Sequence, residues 1–97
     1  MQDLTLQHFA EHLNKPFTVV TEQGDMAFTL VEARTLSHPL PQGTTRSAFS
    51  LLFHSDSPVL FPQGIYRMDH PDIGEVEIFL VPIARQQPGF VYQAVFN

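Results

Sequence analysis

The sequence predicts a mainly β domain, with about six antiparallel strands in a small barrel or two-layer sandwich and one short N-terminal α-helix. Three observations predict it. From residue 17 onward, apolar residues recur with period two in short runs rich in β-branched and aromatic side chains. The 8 prolines and 5 glycines fall mostly between those runs. Leu, Ile, Val and Phe make up about a third of the chain, enough to bury a core. With 97 residues the prediction is a single domain, 1–97.

The helix is expected over residues 5–14. Leu6, Phe9, Ala10 and Leu13 form one apolar stripe at i, i+3, i+4 and i+7, with Gln7, Glu11 and Asn14 turned away. Asp3 or Thr5 supplies the N-cap oxygen, and Pro16 ends the pattern by disfavouring helix at the residue before it. So short a helix is unstable alone and must dock.

Strands follow over residues 17–22 and 26–36, with Gly24 providing the positive φ of the hairpin turn between them. In the second strand the apolar set moves from Met26, Phe28 and Leu30 to Val31 and Ala33. A parity switch of that kind predicts a β-bulge or a bend between sheets. Residues 37–45 read as a loop, 46–54 as a strand, 55–64 as a second loop and 65–70 as a short strand. His70-Pro71-Asp72-Ile73-Gly74 is the clearest turn, with proline pre-setting φ and Gly74 taking the left-handed position. The strand over 75–83 is apolar on both faces, and 90–96 closes the chain. The order suggests a meander. Leu40-Pro41-Gln42-Gly43 and Phe61-Pro62-Gln63-Gly64 echo each other, which reads as repeated turn chemistry rather than a duplicated domain.

Net charge is −5, which argues against a nucleic-acid partner, since phosphate affinity rests on Lys and Arg. The absence of cysteine excludes disulfides and thiolate metal sites. No apolar run approaches the ~20 residues of a membrane-spanning helix. Residues 1–5 show no basic segment leading into an apolar run, so the expected location is cytoplasmic.

Chemistry-bearing residues are few. His8 and His12 are four apart on the expected helix and within chelating reach. They lack a third ligand and any His-Glu-x-x-His pattern, so a solvent-edge role is the simpler reading. His54 and His70 end two consecutive strands, with Asp56, Asp69 and Asp72 close by in sequence. His54, His70 and a nearby Asp, with Asp56 foremost, are therefore the candidate two-His-one-carboxylate set of a metal- or ligand-binding barrel. Local capping of loop backbone is the competing and preferred role. There is no Gly-x-Ser-x-Gly elbow and no Gly-rich phosphate loop, and Ser47 and Ser50 sit on a strand as spacers. Glu75 and Glu77 read as a guard against edge aggregation. No enzyme and no cofactor are expected.

The C-terminal half also resembles a known family. Phe61-Pro62-Gln63-Gly64-x-Tyr66-Arg67, His70-Pro71-x-x-Gly74 and the ending Tyr92-x-Ala94-Val95-Phe96-Asn97 are similar to a bacterial family of about hundred-residue proteins of unknown function. The resemblance is best over residues 46–97, and it implies an accessory role near phage-tail-collar-like proteins. It supplies no catalytic residues. It draws attention to Tyr66 and His70, whose polar tips are expected to tie the loop before Gly64 to the turn at Gly74.

The expectation is thus a non-enzymatic β-rich interaction module with a protein partner or a second copy of itself. Its binding surface is expected in the last two strands, at Phe79, Val81, Phe90, Tyr92 and Phe96.

Overall fold

Alternate side chains of short β-branched and aromatic runs build the inner wall here. Phe17 and Val19, Phe28 and Leu30, Leu51 and Phe53, Ile78 and Leu80, and Tyr92 and Ala94 are all buried together. The structure is a computed structural model describing residues 6–35 and 49–96. It contains α1 (Leu6–Ala10), β1 (Pro16–Thr21), β2 (Gly24–Thr35), β3 (Phe49–Ser55), β4 (Gly64–His70), β5 (Gly74–Arg85) and β6 (Phe90–Phe96). The loop expected over 37–45 and the first residues of the strand expected from 46 lie outside the described residues.

The six strands close into a barrel in the order β1-β2-β3-β6-β5-β4, every neighbour antiparallel. This is not the meander the sequence suggested. The chain crosses from β3 to β4, which lies beside β1, so β4-β1-β2-β3 is a Greek key. Closure removes free edges, which an open sheet of this composition would expose to aggregation.

The barrel consists of two three-stranded halves of the same order, β1-β2-β3 and β4-β5-β6. Each has a 12-residue middle strand. Each also has a register shift between its second and third strands, at Leu30/Glu32 and at Pro82/Ala84. The first shift is the bulge that the parity switch predicted. Leu30 and Ala33 pair with Phe53 and Leu51 on the inner face, and Val31 is thrown outward. The Pro-Gln-Gly echo does not map onto these halves, because its two copies lead into β3 and β4, which are not equivalent.

α1 is shorter than expected. The helix ends at Ala10, and three tighter turn bonds follow: His12 N–H to Phe9 O, Leu13 N–H to Ala10 O, and Lys15 N–H to His12 O. Asn14 then takes the left-handed conformation, φ 67°. Its N–H bonds Leu30 O at 2.6 Å while Leu30 N–H bonds Lys15 O at 3.1 Å. The chain is thereby captured by β2 two residues before Pro16, so a tertiary contact helps stop the helix.

Two phenylalanines plug the barrel. Phe9 enters one end, where its ring lies 6.2 Å from Phe17, 6.1 Å from Phe49 and 5.5 Å from Phe96. Phe61, in the β3–β4 crossing, enters the other and packs on Phe28 and Tyr92. Tyr92 is fully buried, and its hydroxyl accepts the Phe61 N–H at 2.9 Å. Burial raises its pKa above the ordinary value, against the smaller opposing effect of that amide; Tyr66 is raised too, by burial first and then by Tyr92 and Glu22. A raised folded pKa contributes stability that is complete below the unfolded value of about 10 and is lost as pH rises through the folded value. With only two tyrosines in the chain, the phenolate absorbance of the native protein is expected to lag a denatured control above about pH 10. It should then rise together with the loss of near-UV ellipticity. Reversible ionisation of half the chromophore at the ordinary value, in a folded barrel, contradicts this placement.

Candidate functional site

Two places outside the core combine unusual chemistry with accessibility: the outer face of β4, β5 and β6, and the barrel end where α1 docks.

On the outer face, β5 is apolar where a solvated strand is normally polar. Phe79 is 50% exposed and Ile65, paired with it across β4–β5, is 71% exposed. Val81 is half-buried, Ile83 lies exposed at the register shift, and Val95 is exposed on neighbouring β6. Continuing the Val81–Gln93 register by two residues places Val95 alongside Phe79. The helix does not cover this face, because Phe9 and its turn plug the barrel end. The strand carries exposed Glu75 and Glu77 toward its start and exposed Arg85 at its end. Of the five residues expected at a binding surface, Phe79 and Val81 lie here. Phe90 is half-buried. Phe96 packs inward on Phe49 at 4.8 Å with the rings parallel, and Tyr92 is 1% exposed. Tyr92 and Phe96 therefore belong to the interior. The register fixes this, since Tyr92 and Phe96 lie opposite the inward-facing Phe53 and Phe49 of β3.

At the α1 end, the β4–β5 turn brings His70 and Asp72 against His12. His70 is nearly buried, its ring 4.7 Å from Phe17 and 4.2 Å from His12. The Asp72 N–H donates to His70 Nδ1 at 3.1 Å, so the neutral ring carries its proton on Nε2. Burial, and then the neighbouring His12, push the His70 pKa below its ordinary value, with Asp72 and Asp69 opposing. His12 Nε2 stands 3.7 Å from Asp72 Oδ2.

The candidate His54–His70–Asp set does not converge, and each histidine bonds loop backbone instead. β3 and β4 are consecutive and antiparallel in sense, so their C-terminal ends lie at opposite ends of the barrel. His54 instead donates from Nε2 to Gln86 O at 3.1 Å and faces Asp56 Oδ1 from Nδ1 at 3.3 Å, holding the β5–β6 turn. The helical i, i+4 spacing considered for His8 and His12 is not kept, since α1 ends at Ala10. His12 instead stands beside His70 and Asp72. The neighbourhood follows from the strand order, because β1 begins at the barrel end where the adjacent antiparallel β4 finishes.

Tyr66 and His70 each tie their own loop. The Tyr66 hydroxyl donates to the Pro62 carbonyl, and His70 accepts from Asp72 within its turn. Gly74 has the left-handed backbone, φ 89°, whereas Gly64 has room for a side chain, with only a Tyr66 ring carbon 3.9 Å from a built Cβ. Beside Tyr66, the recorded β1–β4 pairing covers only Thr18–Asp69 and Val19–Met68. Past it, Val20, Thr21, Glu22, Phe61, Gly64, Ile65 and their neighbours line a shallow pocket of about 390 Å³.

Residues 4–96 match the model of one family, described as a domain of unknown function (DUF6916), and the chain belongs to that family. No curated protein and no solved structure matches it.

Proposed function

We propose that this member of the DUF6916 family is a non-enzymatic interaction module that self-associates through the outer face of β4–β6. The observation that supports it is the apolar row Ile65, Phe79, Val81, Ile83 on a closed barrel. Closure leaves no whole strand edge free, only the short open part of the β1–β4 seam, which favours association through side chains on a face. A second copy fits that face by charge. With two β5 strands antiparallel and centred near residue 80, the Arg85 end of one lies over the Glu75–Glu77 end of the other, whereas a parallel arrangement stacks like charges. The non-enzymatic part is supported by the histidines' roles in holding turns: His54 at Gln86, His70 at Asp72. The family resemblance extends the reading to an accessory subunit of a phage-tail-like or surface assembly acting in the cytoplasm, where such a contact recurs between copies. Among the described residues no helix is long and apolar enough to cross a membrane.

Sedimentation equilibrium tests the proposal. The wild type is expected to associate at micromolar concentration. Phe79→Glu is expected to be a monomer with an unchanged far-UV spectrum, because Phe79 is half exposed and contributes little to the core. A wild-type chain that stays monomeric at millimolar concentration overturns self-association.

A further inference from the structure

We propose that His12, His70 and Asp72 form a binding site for a divalent first-row transition ion, zinc above all, that clips the N-terminal turn to the β4–β5 turn. The proposal is independent of the outer-face reading. It rests on convergence: one ligand atom from each of the three residues lies within 4.8 Å of the others, the one such group among the described residues. They come from two segments far apart in sequence, His12 after α1 and His70 and Asp72 around the β4–β5 turn. Imidazole suits zinc, nickel, copper and iron, and two histidines with a carboxylate make a three-ligand set that leaves one position for water.

The availability of each donor follows from its surroundings. His70 is nearly buried against Phe17, and the Asp72 N–H bonded to its Nδ1 shows that this nitrogen presents a lone pair. An ion binding there takes the lone pair from the amide, which lies in an exposed turn and turns to water. His12 offers Nε2, already facing Asp72 Oδ2, and the Asp72 side chain is 71% exposed and free to swing inward. Zinc–nitrogen bonds of about 2.0–2.1 Å require the donors to close up by roughly an ångström from their present spacing, within the reach of a surface carboxylate and a turn. Displacing one hydrogen bond and moving one turn points to micromolar rather than tighter affinity. His54 and Asp56, at the far end of the barrel, take no part.

Calorimetric titration of untagged, chelator-treated protein with zinc is the test, with cobalt absorption as a second readout. One equivalent of zinc is expected to bind and to raise the melting temperature. His12→Ala and Asp72→Asn are both expected to weaken binding at least tenfold and to abolish the thermal shift, while remaining folded because neither side chain is part of the core. His54→Ala is expected to bind as the wild type does. The proposal is overturned if the wild type takes up no zinc, cobalt or nickel, or if His12→Ala and Asp72→Asn bind as tightly as the wild type.

Discussion

Gly89→Ala is expected to destabilise the barrel by about 3–5 kcal/mol, from strain at a left-handed backbone and overpacking against main chain. Gly89 has φ 90°, which side-chain-bearing residues rarely adopt, and an added Cβ would lie 1.7 Å from the Ser55 carbonyl oxygen. That carbonyl cannot yield cheaply. Ser55 is fully buried and pairs with Phe90 at the end of β3, so moving its carbonyl means opening the β3–β6 ladder. The comparison within the same protein isolates the cause. Gly24 and Gly74 have φ of 99° and 89° but nothing within 4 Å of a built Cβ. Alanine at either is expected to cost only the backbone term, about 1–2 kcal/mol. A domain of this size has about 5–15 kcal/mol in total, so urea denaturation resolves the two classes. Equal effects at Gly74 and Gly89 contradict the close approach of the β5–β6 turn to β3.

Phe9→Ala is expected to cost about 3–5 kcal/mol, the range for emptying a buried aromatic site. Phe9 is 0% exposed and shares its pocket with Phe17, Phe49 and Phe96, drawn from three different strands. Five residues of helix have no stability of their own, so α1 exists because this ring is buried. Loss of the ring releases the turn that carries His12 as well. Near-UV circular dichroism and hydrogen exchange at residues 9–15 and 30 are the measurements, since Asn14 and Lys15 share backbone bonds with Leu30. Val31→Ala is the control, expected within about 0.5 kcal/mol of wild type because Val31 is 41% exposed on β2, away from the outer face of β4–β6. A small effect at Phe9 contradicts the plug.

How legible each feature was depended on its range. The bulge in β2 was readable because Leu30 and Val31 break a two-residue period within one strand. Gly24 and Gly74 were readable because turn chemistry is local, and both have positive φ. The extra apolar face of β5 was visible in Phe79, Val81 and Ile83, but whether a helix covered it depended on where Phe9 docks. The strand order was not legible: placing β4 beside β1 is decided by closing an inner wall of Phe17, Met68 and Leu80, a long-range packing choice. Strand direction was equally out of reach, which is why His54 and His70 stood as a candidate set beside the preferred loop-capping role. Once β4 runs antiparallel against β1, His70 falls beside His12, and Tyr92, opposite Phe53, turns into the barrel.

If two barrels meet through β5, site-directed cross-linking reads the contact residue by residue. The chain has no cysteine, so single-cysteine variants report one position each. Val81→Cys lies near the expected two-fold axis, and Thr18→Cys lies on the exposed side of β1, two strands removed from β5 around the barrel. Face-to-face sheets pack about 10 Å apart, the span of a short thiol-specific cross-linker. Val81→Cys is predicted to give a covalent dimer rapidly and Thr18→Cys to remain monomeric. Equal, slow cross-linking at both positions contradicts association through this face.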